Sequence, residues 1–370
     1  MSVRFLTAVS GRAFNMRDRF GREIDYMRIS VIDSCNLNCY YCNPQDNDKK
    51  CQAINTLSVK KVFCIVRAAT RLGITHFRLT GGEPLLHPQL DEMVLQIKKI
   101  PGVSSVSLTT NAVLLVQHAK WLKEAGIDSI NVSLDTIDAS EYERITKKPL
   151  LEEVKHGINA AIECGIRVKI NVVLTPQTDV VALTRYVAKK GTDIRFIEMM
   201  PVGEGHTNGV EPYKKVIGTL SKLYGEPCRI NTEKTKEINS GNDKRKIPDN
   251  GPAEYYIFPE LGIRVGLIQA IHGKFCDTCN RIRVTADGRL MPCLGSSVTM
   301  DLVPDSCEFT DDLEKDFVIA QALKAAIKAK PGCHNFNDNA VTYTKTTETK
   351  TTEIEAAEVN AARNMSRIGG

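Results

Sequence analysis

The segment Asp33-Ser-Cys-Asn-Leu-Asn-Cys-Tyr-Tyr-Cys42 holds three thiols, Cys35, Cys39 and Cys42, in the spacing C-x3-C-x2-C. Such a loop can wrap one face of a four-iron cube, and three thiolates leave one iron of that cube without a protein ligand. An iron with an open position can bind and activate a substrate, as other open metal sites do. A structural zinc site is the alternative, although zinc fingers favour two separated C-x2-C pairs. The spacing therefore favours an iron–sulfur cluster with an open iron.

The composition is that of an ordinary globular protein. The 370 residues are 42% hydrophobic and 25% charged, which suits one large domain and a smaller one. No stretch approaches the roughly 18 apolar residues of a membrane span, and no signal-peptide cleavage site is evident, so we expect a cytoplasmic protein. In such a protein the 12 cysteines indicate metal or redox chemistry. The net charge of +5 suits an anionic small molecule and is too diffuse to indicate nucleic acid.

Short β-rich runs alternate with segments of helical periodicity up to residue 198. Such alternation means parallel strands joined by right-handed crossovers. An incomplete barrel and an open doubly wound sheet both fit this pattern. The predicted strands are 26–32, 76–80, 104–109, 128–134, 166–173 and 193–198, and the predicted helices are 57–72, 89–99, 116–124, 151–163 and 180–190.

Polar residues gather where these strands end, which in parallel α/β folds is the face that carries sites. Among them, Gly81 and Gly82 allow a ligand to approach the main chain closely, and Glu83 offers a charge for an ammonium group. A tight turn after a strand is the alternative for this motif. The full set is Asp33, Thr80 to Glu83, Thr109 to Asn111, Ser133, Asp135, Asn171 and Glu198.

After residue 205 the pattern changes to that of a small α+β domain. A Lys-rich connector lies at 233–251, and a Thr-, Glu- and Lys-rich segment at 343–364, which we expect to be mobile, precedes the terminal Gly369-Gly370. The predicted elements are a helix at 214–223, strands at 254–258, 262–268, 281–286 and 288–292, and a helix at about 311–329.

A second set of thiols follows the spacing Cys276-x2-Cys279-x13-Cys293. Taken alone, this set suits a zinc ribbon completed by Cys307 at least as well as it suits a cluster. Beside the first set, a second cluster with an open iron is the better interpretation.

Arg281 and Arg283 lie two residues apart on a predicted strand, so both side chains face the same way. Two parallel guanidinium groups fit a phosphate chain or a guanine edge, and a solvated strand face is the alternative. Of the remaining cysteines, Cys64 and Cys164 are expected in the core, and Cys51, Cys228, Cys307 and Cys333 receive no assignment.

These motifs resemble a known family. The first cysteine set followed by Gly81-Gly-Glu-Pro84 is similar to the radical S-adenosylmethionine (SAM) superfamily. With the second cysteine set, Arg195-Phe-Ile-Glu-Met-Met-Pro201, Thr285-Ala-Asp-Gly288 and the Gly-Gly end, the chain resembles the GTP 3′,8-cyclase (MoaA) family over about residues 14–337 and the last few residues. Members of that family begin molybdenum-cofactor biosynthesis.

The resemblance implies an α/β fold with an incomplete (βα)6 TIM-type barrel in residues 14–230. A smaller α+β domain in residues 231–337 would carry the second cluster, and residues 338–370 would form a mobile tail. Three departures stand out. Ala112 follows Asn111 where the family usually has glycine, and Lys147-Lys148 replace a glycine-containing turn. The Thr-, Glu- and Lys-rich segment before the Gly-Gly end resembles an insertion, which we expect to loop out.

The resemblance also implies the reaction and the cofactors, two 4Fe-4S clusters and SAM. One electron cleaves SAM at the first cluster, the resulting 5′-deoxyadenosyl radical takes hydrogen from C3′ of GTP, and the carbon radical attacks C8 of guanine. The product is (8S)-3′,8-cyclo-7,8-dihydroguanosine 5′-triphosphate. Implied partners are GTP, an external one-electron reductant and the downstream cyclic pyranopterin monophosphate synthase. A homodimer is compatible with the resemblance, and no nucleic-acid or membrane partner is expected.

Site residues follow from the same resemblance, position by position. Cys35, Cys39 and Cys42 would hold the first cluster, and Cys276, Cys279 and Cys293 the second. Tyr41, Gly82, Glu83, Ser133 and Met200 would bind SAM. Arg28, Arg78, Thr109, Lys169, Arg281, Ile282 and Arg283 would bind GTP, and Arg281, Arg283, Gly369 and Gly370 would take part in catalysis.

Two other functions are alternatives to this one. A radical SAM peptide maturase would share both cysteine sets, although Arg281, Arg283 and the Gly-Gly end argue against it. A non-enzymatic metal or redox sensor with two zinc or cluster sites is the second alternative.

Overall fold

The computed structural model describes residues 16–42, 54–202, 210–230, 251–296, 298–302, 312–334 and 336. The six predicted strands of the first part are confirmed to within two residues at each end, and the five predicted helices are also present. The strands are β1 (Tyr26–Ser30), β2 (His76–Thr80), β3 (Ser105–Thr110), β4 (Ser129–Ser133), β5 (Arg167–Val173) and β6 (Asp193–Ile197). The helices are α1 (Val59–Thr70), α2 (Leu90–Lys98), α3 (Leu115–Glu124), α4 (Ala139–Thr146), α5 (Leu151–Glu163) and α6 (Val180–Lys189), of which α4 was not predicted.

Strands β1 to β6 lie side by side in chain order, and each is parallel to the next. A doubly wound sheet reverses its strand order near the middle, whereas a βα barrel does not. The incomplete barrel is therefore confirmed, and the open doubly wound sheet is excluded.

The C-terminal strands extend this sheet at both edges. The strand β10 (Arg281–Val284) pairs in parallel with β1, and β9 (Arg264–Ile268) pairs in parallel with β6, so the strands of the described residues form one 12-stranded sheet. This arrangement fixes the strand after Cys279 directly beside the strand that precedes the first cysteine loop. The remaining elements are β7 (Cys228–Ile230), β8 (Glu254–Ile257), β9 (Arg264–Ile268), β10 (Arg281–Val284), β11 (Arg289–Met291), β12 (Met300–Asp301), α7 (Gly218–Tyr224) and α8 (Asp312–Lys328).

The alternation of side chains along a strand separates the core from the interior of the barrel. In β1, Met27 and Ile29 are fully buried in the hydrophobic core, while Arg28 between them lines a cavity inside the barrel. The strands thus present apolar residues to the surrounding helices and polar residues to the interior. The candidate site is built from that second face.

Helix α8 packs against α1 through a buried ion pair. Asp316 is fully buried, and both of its carboxylate oxygens accept hydrogen bonds from Arg67 at 2.7 and 2.8 Å. Arg71 adds a contact of 3.1 Å to the same carboxylate. This bidentate pair fixes the direction in which the chain leaves α8, toward residues that line the cavity.

Left-handed backbone occurs where several helices end. Gly73, Gly126 and Gly165 have positive φ angles, as predicted for helix C-termini. Ala112 and Lys147 are the two non-glycine residues with positive φ in the described part of the chain, at 65° and 60°. They lie at two of the departures from the family resemblance described above, Ala112 and the Lys147-Lys148 turn. In the ranges that the structure covers, no helix has the length and apolar character needed to cross a bilayer.

Candidate active site

One cavity at the carboxyl ends of the parallel strands brings the two cysteine sets together. Its wall includes residues from the barrel strands, from the loop after β1, and from the C-terminal strands. The two sets, which lie far apart in the sequence, therefore face a common chamber. The six thiols that line it are Cys35, Cys39, Cys42, Cys276, Cys279 and Cys293.

The loop that carries the first set is anchored to β2 by main-chain hydrogen bonds. Gly82 N donates to Ile32 O at 2.7 Å, and Glu83 N donates to Ser34 O at 2.8 Å. A Cβ atom on Gly82 would lie 2.1 Å from Ser34 O, so only glycine permits this approach. The Gly-Gly-Glu motif is thus a docking surface for the cysteine loop as well as part of the cavity wall.

The other side of the loop is held by α4. Asn38 N donates to Thr146 O at 3.0 Å, and Tyr40 N donates to Ile145 O at 3.1 Å. Both acceptors belong to the last turn of the helix, whose carbonyl groups lack partners within the helix. The unpredicted helix α4 therefore supports the first cysteine set directly.

Two side-chain contacts complete the anchoring of this loop. Asn111 Nδ2 donates to Asn36 Oδ1 at 2.7 Å and lies 3.8 Å from Cys35 Sγ. Tyr41 OH donates to Asp135 Oδ2 at 2.5 Å. Burial raises the pKa of Asp135 to about 6, against the opposing effect of the hydrogen bonds from Tyr41 and Val173. The loop is thereby tied to the ends of β3 and β4.

Glu83 is buried and accepts three hydrogen bonds. Its donors are Thr110 Oγ1 at 2.6 Å, Asn111 N at 2.7 Å and Leu85 N at 3.0 Å. Burial raises its pKa to about 7, while these three bonds act in the opposite direction. A carboxylate offers about four acceptor positions, so one remains for a cationic ligand in the cavity. This geometry is compatible with the ammonium contact predicted from sequence.

Three arginines form a row on adjacent strands. Arg28 of β1 stands in register with Arg78 of β2 on one side and with Arg283 of β10 on the other. All three line the cavity, and Arg281 lines it one step further back along β10. Burial and the charge of Arg283 hold the pKa of Arg28 well below its usual range. Burial and Arg281 lower that of Arg283 to about 10. An anion bound here would offset this repulsion.

Arg281 contacts the second cysteine set itself. Its Nη2 lies 3.7 Å from Cys279 Sγ, and its guanidinium group stacks on Phe275, 4.9 Å from the ring centre. Burial alone would raise the pKa of Cys279, but the charges of Arg281 and Lys330, with hydrogen bonding from Arg281, lower it to about 6. The site thus favours a thiolate at this position.

Two residues predicted to bind GTP lie outside the cavity wall. Lys169 is buried on the same face of β5 as Asn171, one step deeper in the barrel, with its Nζ 5.8 Å from the centre of the Tyr255 ring. Ile282 is buried in the hydrophobic core, because it alternates with the arginines on either side. Its side chain therefore cannot reach the cavity, although its main chain lies between two lining residues.

The other predicted site residues described by the structure all line the cavity, namely Arg28, Tyr41, Arg78, Gly82, Glu83, Thr109, Ser133, Met200, Arg281 and Arg283. Thr109 Oγ1 is buried and makes no hydrogen bond with any described residue. Gly369, Gly370, Cys51 and Cys307 lie outside the described residues. Of the remaining cysteines, Cys64 is buried, Cys164 is half-buried, and Cys228 and Cys333 are exposed.

Sequence reasoning gave no specific role to four residues that shape the site. Arg195 lines the floor of the cavity and donates to Asn131 Oδ1 and Asn171 Oδ1 at 2.6 and 3.0 Å. Its place beside Ile197 on β6 could have been found from strand alternation. Glu198 accepts from the main chain of 271–272 and contacts His272 Nδ1, which holds the loop before Cys276. Lys330 and His334 also line the cavity, and no local pattern in the sequence marks them.

The cysteine sets have the chemistry of iron–sulfur ligands. Burial, with the charge of Asp135, raises the pKa of Cys39, and a buried thiol of this kind loses its proton when it binds metal. Each of the ten described cysteines is a free thiol. Among the described residues, no three His, Cys, Asp or Glu side chains are grouped so as to hold a single metal ion.

Comparisons with known proteins identify the family of the chain. The chain matches the Radical SAM superfamily over residues 29–182 and Molybdenum Cofactor Synthesis C over residues 192–336. It is 36% identical over 327 residues to the GTP 3′,8-cyclase of Pelotomaculum thermopropionicum, covering 86% of this chain and 95% of that protein. It is 34% identical over 359 residues to the GTP 3′,8-cyclase of Alkaliphilus metalliredigens, covering 96% and 100%.

A solved structure supports the fold. SuiB of Streptococcus suis, bound to its precursor peptide SuiA, superposes with a TM-score of 0.53 at 14% identity, covering 82% of this chain and 67% of that one. At this identity the likeness concerns the fold alone. The family assignment comes from the sequence relatives and from the two family models. The chain belongs to the GTP 3′,8-cyclase family of radical SAM enzymes.

Proposed function

We propose that this protein converts GTP to (8S)-3′,8-cyclo-7,8-dihydroguanosine 5′-triphosphate, the first step of molybdenum-cofactor biosynthesis. The observation that carries the proposal is the arginine row, Arg283, Arg28 and Arg78, on the wall of a cavity that both cysteine sets also line. A triphosphate is the kind of anion that such a row of guanidinium groups recognises. The names of the relatives support the same substrate.

The first cysteine set would hold a 4Fe-4S cluster that, with SAM, supplies the radical which removes hydrogen from C3′ of GTP. Around it, Tyr41, Gly82, Ser133 and Met200 line the wall where SAM would lie. The free acceptor position of Glu83 suits the SAM ammonium group. The protein's contribution is to hold two ligands in contact and to exclude water from them.

The second cysteine set would hold another 4Fe-4S cluster, whose open iron is suited to a guanine nitrogen. The contacts that Arg281 makes with Cys279 and Phe275 would keep its guanidinium group between this cluster and the nucleotide. Thr109 Oγ1, a buried hydroxyl on the cavity wall, would complete its hydrogen bonding with GTP. Lys169 lies too deep for direct contact and would act on the phosphates through its charge.

We extend the proposal to the remaining partners and segments. The enzyme would work in the cytoplasm with an external one-electron reductant and would pass its product to cyclic pyranopterin monophosphate synthase. Gly369 and Gly370 would reach the cavity and take part in catalysis, and residues 14–230 and 231–337 would act as the barrel and the cluster-bearing domain. A homodimer is compatible with this arrangement.

Anaerobic turnover of the reconstituted protein tests the proposal. With SAM, a reductant and GTP, 5′-deoxyadenosine and a cyclised guanine nucleotide should form in equal amounts, and ATP in place of GTP should give no cyclised product. If 5′-deoxyadenosine forms only with a peptide substrate, the enzyme is a maturase. If the purified protein holds zinc and no sulfide, a radical mechanism is excluded.

A further inference from the structure

Lys330 is a buried lysine beside the second cysteine set. It follows α8, is 2% exposed and lines the cavity. Its Nζ donates to Arg281 O at 2.8 Å and to Pro292 O at 2.9 Å. Arg281 stands two residues after Cys279, and Pro292 directly precedes Cys293. One ammonium group therefore ties together the two chain segments that carry these two cysteines.

A second buried cation holds the third cysteine. Arg22 Nη1 donates to Cys276 O at 2.7 Å and to Gly332 O at 3.0 Å, and Nη2 donates to Pro331 O at 2.6 Å. Its Nε is paired with Asp18 at 2.6 Å. Arg22 thus joins the turn of Cys276 to the segment that follows Lys330. Each of the three cysteines therefore has, at its own position or within two residues, a main-chain carbonyl group that a buried cation fixes.

The two cations differ in their net electrostatic effect. The charge of Arg22 is balanced by Asp18, a carboxylate buried with it. Two acceptors of Lys330 are carbonyl oxygens, which carry no formal charge. The ammonium group also lies within hydrogen-bonding reach of the Cys279 side chain. Lys330 is therefore the cation of this pair whose charge acts on the cysteine sulfurs.

The positive charge of Lys330 would affect the reduction potential of a cluster that the three thiolates of the second set hold. Such a cluster carries a net negative charge, and reduction adds another negative charge to it. In a site shielded from water, a nearby cation stabilises the reduced form more than the oxidised form. Net charge, hydrogen bonds and exposure are the main determinants of cluster potentials, so removal of the cation should make reduction harder.

We propose that Lys330 is a positioning residue for the second cluster, fixing the segments of Cys279 and Cys293 and raising the reduction potential of the cluster. This inference rests on the proposed presence of that cluster. A structural role alone would require only the two hydrogen bonds to Arg281 O and Pro292 O. The role proposed here also requires the positive charge.

Four variants separate these requirements. Lys330→Gln keeps amide donors near the two carbonyl groups and removes the charge. Lys330→Met removes both the donors and the charge, and Lys330→Arg keeps both. Lys328→Met removes one charge from an exposed position two residues away and is the matched control. The measurements are iron and sulfide content and a redox titration of anaerobic protein followed by electron paramagnetic resonance.

We expect Lys330→Gln to retain both clusters, with a lower midpoint potential for the second and an unchanged potential for the first. Lys330→Met should show the lower potential and also lose iron from the second set. Lys330→Arg and Lys328→Met should match the wild type.

A wild-type potential in Lys330→Gln would overturn the inference and leave the proposed function intact. If Lys330→Gln fails to take up the second cluster, restoration by Lys330→Arg supports the inference, and failure of Lys330→Arg overturns it. A wild-type protein with only one cluster overturns the proposed second cluster and the inference together.

Discussion

Arg28 is in register with Arg78 on one neighbouring strand and with Arg283 on the other, so three guanidinium groups face the same cavity. Bringing like charges together in a buried place costs free energy. Burial, and then the charge of Arg283, hold the pKa of Arg28 well below its usual range. Such an arrangement is retained where a bound anion offsets it. The middle arginine of the row is the most informative one to change.

Arg28→Met should weaken GTP binding by roughly 10- to 100-fold, since charge-assisted hydrogen bonds contribute about 1.5–3 kcal/mol each. SAM binding should be unchanged, because the residues proposed to bind SAM lie in the first cysteine loop and at the ends of β2, β4 and β6. Equilibrium dialysis with each ligand measures both affinities. Arg185→Met, on the exposed side of α6, is the control and should retain wild-type affinity for both. Unchanged GTP affinity in Arg28→Met would contradict the role of the row.

The buried carboxyl group of Glu83 should make the stability of the protein depend on pH. Burial raises its pKa from 4.5 to about 7, so the folded chain retains a proton that the unfolded chain releases. The free energy of unfolding should therefore fall as pH rises from about 4.5 to 7, by on the order of 2 kcal/mol from this group. Urea unfolding of the cluster-free protein, followed by the fluorescence of the single tryptophan, Trp121, measures this slope. Glu83→Gln should show a smaller decrease over the same pH range, and an identical slope would refute the assignment.

At the scale of secondary-structure elements, the first cysteine loop depends on the end of α4. The helix terminates at Lys147, whose left-handed conformation, with φ of 60°, turns the chain away. Its N–H donates to Glu143 O at 2.8 Å, and the last two carbonyl groups of the helix, Ile145 O and Thr146 O, accept from the loop N–H groups. The cap therefore leaves the helix end available to support the cysteines.

Lys147→Gly should stabilise the protein by about 0.5–1 kcal/mol, because glycine adopts the left-handed conformation without the clash of a Cβ atom. The greater conformational entropy of glycine in the unfolded chain offsets only part of this stabilisation. The midpoint of urea unfolding should rise with no change in slope. Lys148→Gly is the matched control, since Lys148 is equally exposed and has no positive φ. It should be neutral or destabilising. A lower midpoint for Lys147→Gly would mean that the lysine makes a contribution beyond its conformation.

Element prediction succeeded where periodicity was strong. The six barrel strands were predictable because each is buried on both faces and bounded by turn residues. Helix α4 was missed although Asp138 caps its first turn, because its eight residues carry only a short apolar stripe. The short strands β7 and β12 were missed because strands of three and two residues carry almost no periodic signal.

At the scale of the whole molecule, the C-terminal strands close the site. Pairing of β10 with β1 sets Arg283 level with Arg28 and brings Cys279 to the cavity, and α8 is locked on α1 by Asp316. The second cysteine set is thus held by one continuous sheet and by a helix packed outside it. This arrangement keeps the two cysteine sets at a fixed separation.

Cys293→Ala should remove the second cluster and leave the first, so iron per chain should fall by about half. Cleavage of SAM should persist at a reduced rate, while cyclisation of GTP should be lost. Cys42→Ala is the complementary variant, in which SAM cleavage itself should disappear. Iron analysis with chromatography of 5′-deoxyadenosine and nucleotide products distinguishes the two. Full iron content in Cys293→Ala would mean that another residue is the ligand.

The spacing of the cysteines, the Gly81-Gly82-Glu83 motif and the strand periodicity determined the fold and the family, because these features depend on neighbours in the chain. The row of Arg78, Arg28 and Arg283 and the place of Lys330 depend on the tertiary structure. They require strand register and the docking of α8, which bring together residues from 49 to 255 positions apart. Local sequence does not encode which strand lies beside which, since that choice is made by burial of the whole sheet.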